Sequence, residues 1–201
     1  MSGARIGSLV VTAALAALAG VLAPGVRAGT FGACGDAALE RPFLEFGDDD
    51  EYTLVPEGTF ESGKGWALTG GARIAAGNEP FYVHGEGERR SLLLSQNTSA
   101  TSRPLCLALA LPTLRFFTRS TPGGILKVET LFHDEAGKRR AVEVARFGAP
   151  ASWWATPPIL FLVNAAVPVR EDGTMIVQFR FTALSGGWQI DDVYVDPRKM
   201  R

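Results

Sequence analysis

The closing run Trp188-Gln-Ile-Asp-Asp-Val-Tyr-Val-Asp196 constrains the fold more than any other stretch. Its apolar residues recur at a period of two, the spacing of a strand with a buried face, and two adjacent carboxylates are set into the pattern. Trp188 and Ile190 fall on one face, Val193 and Val195 on the other, so the pleat shifts phase near Asp191-Asp192 or both faces are covered. A β-bulge makes such a shift, and bulges gather beside ligand positions. Gly58-Thr-Phe-Glu61, followed by the Gly63-Lys-Gly65 turn and Trp66, reads as a short strand ending in a carboxylate. The two stretches are expected to be the first and last strands of one β-sandwich, closing against each other.

Between them the chain reads as strands and turns. Tyr52–Val55, Thr59–Glu61, Trp66–Thr69, Arg73–Ala75, Phe81–Val83, Ser91–Leu94 and Leu105–Leu109 are β-prone, with a polar loop expected over 95–103. Leu114 and Phe116 alternate with Arg115 and Arg119. Leu126, Val128, Thr130 and Phe132 share a face against Lys127 and Glu129, and Arg140–Phe147 returns after the Asp134–Gly137 turn as a hairpin. Met175, Val177, Phe179 and Phe181 form the clearest half-buried strand. Ile159–Val163 is apolar without alternation. With 23 Gly, 12 Pro and no long helical period in the mature chain, the expectation is an all-β, antiparallel sandwich.

Residues 1–28 read as a cleavable signal peptide. Arg5 gives the positive start, Ile6–Leu22 is uncharged, and Pro24-Gly-Val-Arg-Ala28 supplies small residues for cleavage after Ala28. The competing reading is an N-terminal anchor, for which the run is short of the about 20 residues a spanning helix needs. The division is then signal 1–28, an arm 29–51 and a sandwich domain 52–201, secreted or held at the cell envelope. Without the signal, 18 basic residues face 21 acidic ones, which argues against nucleic acid as a partner.

Cys34 and Cys106, the only cysteines, are expected to form a disulfide in an oxidising compartment. Lipidation of Cys34 is the weaker alternative, since Phe31-Gly-Ala-Cys34 opens without an aliphatic residue. Asp48-Asp-Asp-Glu51 lacks the spacing of a calcium loop and reads first as a solvated acidic turn.

Gly58-Thr-Phe-Glu-Ser-Gly-Lys-Gly-Trp66 resembles the opening, and Trp188–Val195 the closing strand, of secreted galactose-binding-like jelly rolls, which include many carbohydrate-binding modules. The ending is also similar to that of exported actinobacterial proteins. The resemblance covers roughly residues 52–197 and implies a jelly roll. It further implies a structural calcium where the first and last strands meet, with Glu61 and Asp191 as its side-chain ligands. Two neighbouring carboxylates repel unless a cation lies between them. The alternative is that both bond backbone amides or pair with Lys64 or Arg73.

A glycan would stack on exposed aromatics. Trp153, Trp154, Tyr82 and Trp66 are the candidates, each with core packing as the alternative. In the Trp153-Trp154 pair adjacent residues point to opposite faces. Asn78, Glu79, His84 and Gln178 are candidate polar partners. No catalytic signature is present: no Gly-x-Ser-x-Gly, no HExxH, and only His84 and His133 as histidines. Glu79, Glu86 and Asp172 carry no sign of facing one another across a glycosidase cleft. The expectation is a non-catalytic exported module that binds carbohydrate or envelope glycan. The alternative is an envelope-associated structural or protein-interaction module without a sugar site.

Overall fold

A computed structural model of the chain describes residues 27–30, 36–108, 112–161, 167–171 and 173–196. β1 (Arg27–Thr30) and β2 (Asp36–Leu39) form a two-stranded ribbon. The body follows as β3 (Thr53–Leu54), β4 (Ala67–Thr69), β5 (Arg73–Ala76), β6 (Arg90–Leu94), β7 (Ser99–Thr101) and β8 (Leu105–Ala108). It continues with β9 (Thr113–Ser120), β10 (Ile125–His133), β11 (Arg139–Phe147), β12 (Trp154–Ala155), β13 (Ile159–Leu160), β14 (Thr174–Ser185) and β15 (Trp188–Asp196). Leu44–Phe46 is a single 3-10 turn. No helix among the described residues is long and apolar enough to cross a membrane.

Two antiparallel sheets face each other. Sheet one runs β11-β10-β14-β7-β4, with β8 also on β14. Sheet two runs β12-β9-β15-β6-β5, with β13 also on β9 and β3 on β15. The alternation dictates the layering. Met175, Val177, Phe179 and Phe181 of β14 enter the space between the sheets, as do Leu126, Val128 and Phe132 of β10 and Leu114 and Phe116 of β9. Phe116 packs on Phe181 at 4.9 Å and Trp66 stacks on Phe181 at 5.6 Å, so aromatic rings close the centre of the core.

The phase shift of the last strand is a bulge. In register with β9, Asp191 opposes Phe117 and Tyr194 opposes Arg115, so Asp192 and Val193 together oppose Phe116. The extra residue brings Val193 and Val195 back into the same core as Trp188 and Ile190. The chain ends also meet. Leu54 and Thr53 pair with Tyr194 and Val195, Val55 N–H donates to the Val193 carbonyl, and Val193 N–H donates to the Gly58 carbonyl.

A second apolar cluster lies on the outer face of sheet two. Phe43 of the arm and Tyr52, just after it, cover Phe117, Ala155 and Tyr194 there. A buried ion pair fastens the arm: Arg115 Nη1 lies 2.5 Å from Asp48 Oδ2, which also accepts the Tyr52 hydroxyl at 2.7 Å. Asp48 is thus an anchor of the arm and not part of a solvated turn.

Several expected boundaries differ. Thr59–Glu61 is turn, because Gly58 bonds β15 directly and Phe60 takes φ +59. Phe81–Val83 is loop, because the Glu79 carboxylate accepts the amides of Phe81 and Val83 that a ladder would need. The polar 95–103 segment contains β7, paired on both sides. The expected cleavage position, after Ala28, falls within β1, and most of the signal segment lies outside the described residues.

Candidate functional site

The bulge delivers two carboxylates to one spot. Asp191 is fully buried on the outer face of sheet two; its Oδ2 accepts the Glu79 amide at 3.0 Å and its Oδ1 the Asp192 amide at 3.1 Å. Asp192 is also fully buried and sits at φ +47, a region that costs a non-glycine residue about 1 kcal/mol and that the bulge imposes. No backbone amide or cationic side chain donates to either of its oxygens, and its carboxyl lies against that of Glu79, with which it hydrogen-bonds when one of the two carries a proton. Glu79 and Glu88 come from the loop joining β5 to β6 and are buried too, and Glu88 Oε2 and Asn78 Oδ1 have no donor. His84 Nε2 lies 4.0 Å from Glu88, and its Nδ1 lies 3.8 Å from Glu40 of the arm. Among the described residues no lysine or arginine forms an ion pair with Glu79, Glu88, Asp191 or Asp192.

Electrostatics follow from that arrangement. Burial raises the Asp191 and Asp192 carboxyls far above the ordinary range, and the neighbouring carboxylates add to the rise. Burial pushes Glu88 up to about 7, opposed by His84 and reinforced by Glu61 and Glu79. Tyr194, buried and bonded to Glu40 at 3.1 Å, is raised in the same way.

A different chemistry lies farther along the same face. Leu93, Arg119, Ser120, Thr121, Trp188 and Gln189 are among the residues lining a hollow of about 340 Å³. Arg119 Nε donates to Gln189 Oε1 at 2.6 Å, and its guanidinium lies 5.2 Å from the Trp153 ring centroid. Trp153 is half-buried and packs against the edge of the second apolar cluster. Val83, next to Tyr82, borders the same cluster, and Tyr82 itself is 44% exposed at φ +51. The face therefore offers aromatic rings beside a guanidinium, an amide and hydroxyls. It can stack and hydrogen-bond a ligand; no nucleophile–base pair stands among the lining residues.

No protein-family model matches the chain, and no curated protein matches it. Solved structures do. The first is a family 61 carbohydrate-binding module in complex with β-1,4-galactotriose: 18% identity, 71% of this chain and 96% of that one, TM-score 0.43. Another is the CBM22-1 xylan-binding domain from Paenibacillus barcinonensis, at 14% identity over 71% and 93% of the chains, TM-score 0.47. A third is the C-terminal family 6 module of a marine laminarinase from Zobellia galactanivorans, at 13% identity over 65% and 90%, TM-score 0.42. All three are modest likenesses to β-sandwich modules.

The residues singled out in the sequence divide clearly. Trp153 faces outward, whereas Trp154 turns to the edge of the core, where its ring meets Phe147 at 6.2 Å. Trp66 and Trp188 are core residues whose indoles donate to the carbonyls of Glu57 and Ser185. Gln178 lies on β14 in the other sheet and donates to Ser102, and His133 is exposed at the end of β10. Asp172 lies outside the described residues.

Asp191 and Glu61, the pair implied as calcium ligands, both bond backbone amides. Glu61 Oε1 accepts those of Arg89 and Arg90 at 2.6 Å each. Among the described residues no three acidic, histidine or cysteine side chains form a ready metal cage. The buried carboxylate oxygens without an amide or cationic donor belong to Asp192 and Glu88, which sequence reading did not single out as ligands. Nor did it identify Arg119 and Gln189 as a ligand-facing pair. Alternation placed Arg119 outward, but only the β9–β15 register sets it opposite Gln189.

Proposed function

We propose that the chain is a non-catalytic, exported β-sandwich module whose outer sheet-two face binds carbohydrate. The observation that carries this is the outward Trp153 beside Arg119, whose pair with Gln189 lines a neighbouring open hollow. The apolar C–H face of a sugar ring complements the electron-rich face of an indole, while guanidinium, amide and hydroxyl groups read its hydroxyls. At about 340 Å³ the hollow lies at the small end of ligand sites, which supports a ligand of one or two sugar rings. The solved modules of similar architecture bind galactotriose and xylan, and a glycan of that class is the natural first ligand to try. Export agrees with the signal-like segment and with a Cys34–Cys106 disulfide, which we include in the proposal.

A glycan array followed by titration calorimetry tests the site. Trp153→Ala is expected to weaken binding tenfold or more, about 1.4 kcal/mol, with Arg119→Ala and Gln189→Ala weaker by smaller factors. Retention of no glycan, or an unchanged affinity in Trp153→Ala, removes the sugar site from this face. The protein-interaction reading then takes its place, with exposed Phe81 and Tyr82 as its first contacts.

A further inference from the structure

The register of sheet two lays one row of outward side chains across its strands. Arg73 of β5 stands opposite Leu93 of β6, Leu93 opposite Gln189 of β15, and Gln189 opposite Arg119 of β9. At the edge, Trp153 lies against the Arg119 guanidinium. Neither arginine has a counter-charge: among the described residues Arg73 and Arg119 form no ion pair, and Arg73 is exposed. The carboxylate one row along β15, that of Asp191, is buried and held by the amides of Glu79 and Asp192. Two unpaired cations thus end one row of an outer face, in a chain whose net charge is −1, so any attraction for an anion is local to this row.

The side-chain groups left open at the adjoining hollow are donors. Arg119 bonds Gln189 through Nε, which leaves its terminal N–H groups open. An arginine can only donate, so that bond takes the Gln189 Oε1 and turns the amide NH2 toward the Ser91 hydroxyl at 3.4 Å. Thr121 Oγ1 accepts the Gly187 amide at 2.9 Å and keeps its own proton to give. Ser120 donates inward to the Ala149 carbonyl at 2.8 Å. Among the described residues no acidic side chain lines the hollow. A sugar hydroxyl brings a proton with its oxygen and seeks an acceptor, whereas a carboxylate brings two oxygens and no proton, and a guanidinium fork matches it. We infer that this face selects acidic glycans, chains whose rings carry a carboxylate. Arg119 takes the carboxylate at the hollow, and Arg73 takes a second one about 14 Å away, three strand spacings along the row. The inference rests on the sugar site proposed above and narrows its ligand class.

Calorimetry of the whole protein at neutral pH tests it, with an oligomer of galacturonic acid and its fully methyl-esterified form as ligands, since the two share rings and linkage. The acid is expected to bind about tenfold tighter or more at low salt, and the margin should fall in high salt. Arg119→Gln should close the gap between acid and ester, and Arg119→Lys, which keeps the charge without the fork, should recover only part of it. If Arg119→Gln fails to fold, Arg73→Gln serves, because Arg73 is exposed: it should weaken a long acid oligomer severalfold and a single uronic acid by less. Equal affinity for acid and ester overturns the inference and leaves the sugar site standing. Binding of neither, nor of any neutral glycan, removes the site and the inference together. A preference for acid that survives both arginine substitutions overturns the assignment, as does a sulfated oligomer free of carboxylate bound as tightly as the acid.

Discussion

At Gly58 the absence of one carbon lets the first and last strands touch. A Cβ there would stand 2.7 Å from the Val193 carbonyl and 2.8 Å from the Val55 carbonyl, both backbone atoms held by the sheet. Gly58→Ala is therefore expected to cost about 2–3 kcal/mol, read as a Tm drop of about 5 °C or more. Gly85→Ala, where no atom lies within 4 Å of the added carbon, should leave Tm unchanged or slightly raised. Equal melting temperatures for the two variants would show that the strands can part at this point. Gly58 and the Asp191-Asp192 pair were visible as motif residues. What the two aspartate carboxylates do was not, because adjacent aspartates look alike until a bulge decides which one receives amides. Gln189 and Arg119 stayed unpaired on paper for the same reason, as a cross-strand contact requires the register.

Elements show the same division between pattern and partner. The alternation of β9, β10, β14 and β15 predicts their buried faces, and the phase change in the last strand predicts its bulge. Local side-chain capping defeats the pattern where it supplies the bonds itself, as Glu79 does for the loop at 79–83. The arm is the other surprise, since an acidic run gives no hint that Asp48 will meet Arg115 across the chain. Arg115 is buried, lies 4.1 Å over the Phe43 ring and donates to the Thr156 carbonyl, so its removal leaves Asp48 without its counter-charge and that carbonyl without the donor. Arg115→Met is expected to cost about 3 kcal/mol at neutral pH. Burial raises the Asp48 carboxyl, but the Tyr52 hydroxyl, the Asp50 amide and Arg115 outweigh it and hold it below its ordinary value. A carboxylate depressed in the folded state stabilises fully above its unfolded pKa, and that contribution disappears as pH falls through the folded value. The stability gap between wild type and Arg115→Met should hold from neutral pH into mild acid, then narrow below the ordinary aspartate range. A gap constant down to the most acidic pH at which both fold would mean the pair contributes nothing through its charge.

Across the whole molecule, the layering was readable from the residues but the strand order was not. Turn signals separate strands without saying which neighbours they choose, and β14 finds β10, β7 and β8 from three distant parts of the chain. Because the arm packs outside sheet two while β8 belongs to sheet one, the proposed Cys34–Cys106 bond would run around the sandwich edge. Cys106 is partly buried on β8, no free cysteine stands among the described residues, and Cys34 lies outside them. Closing a loop of about 70 residues restricts the unfolded chain by roughly 4 kcal/mol, so reduction should lower Tm by on the order of 10 °C. Cys106→Ser should melt at the reduced temperature whether or not reductant is present. Alkylation of both thiols in the native, unreduced protein would leave the arm held by Phe43, Tyr52 and the Asp48–Arg115 pair alone. The reduced and oxidised forms would then melt together.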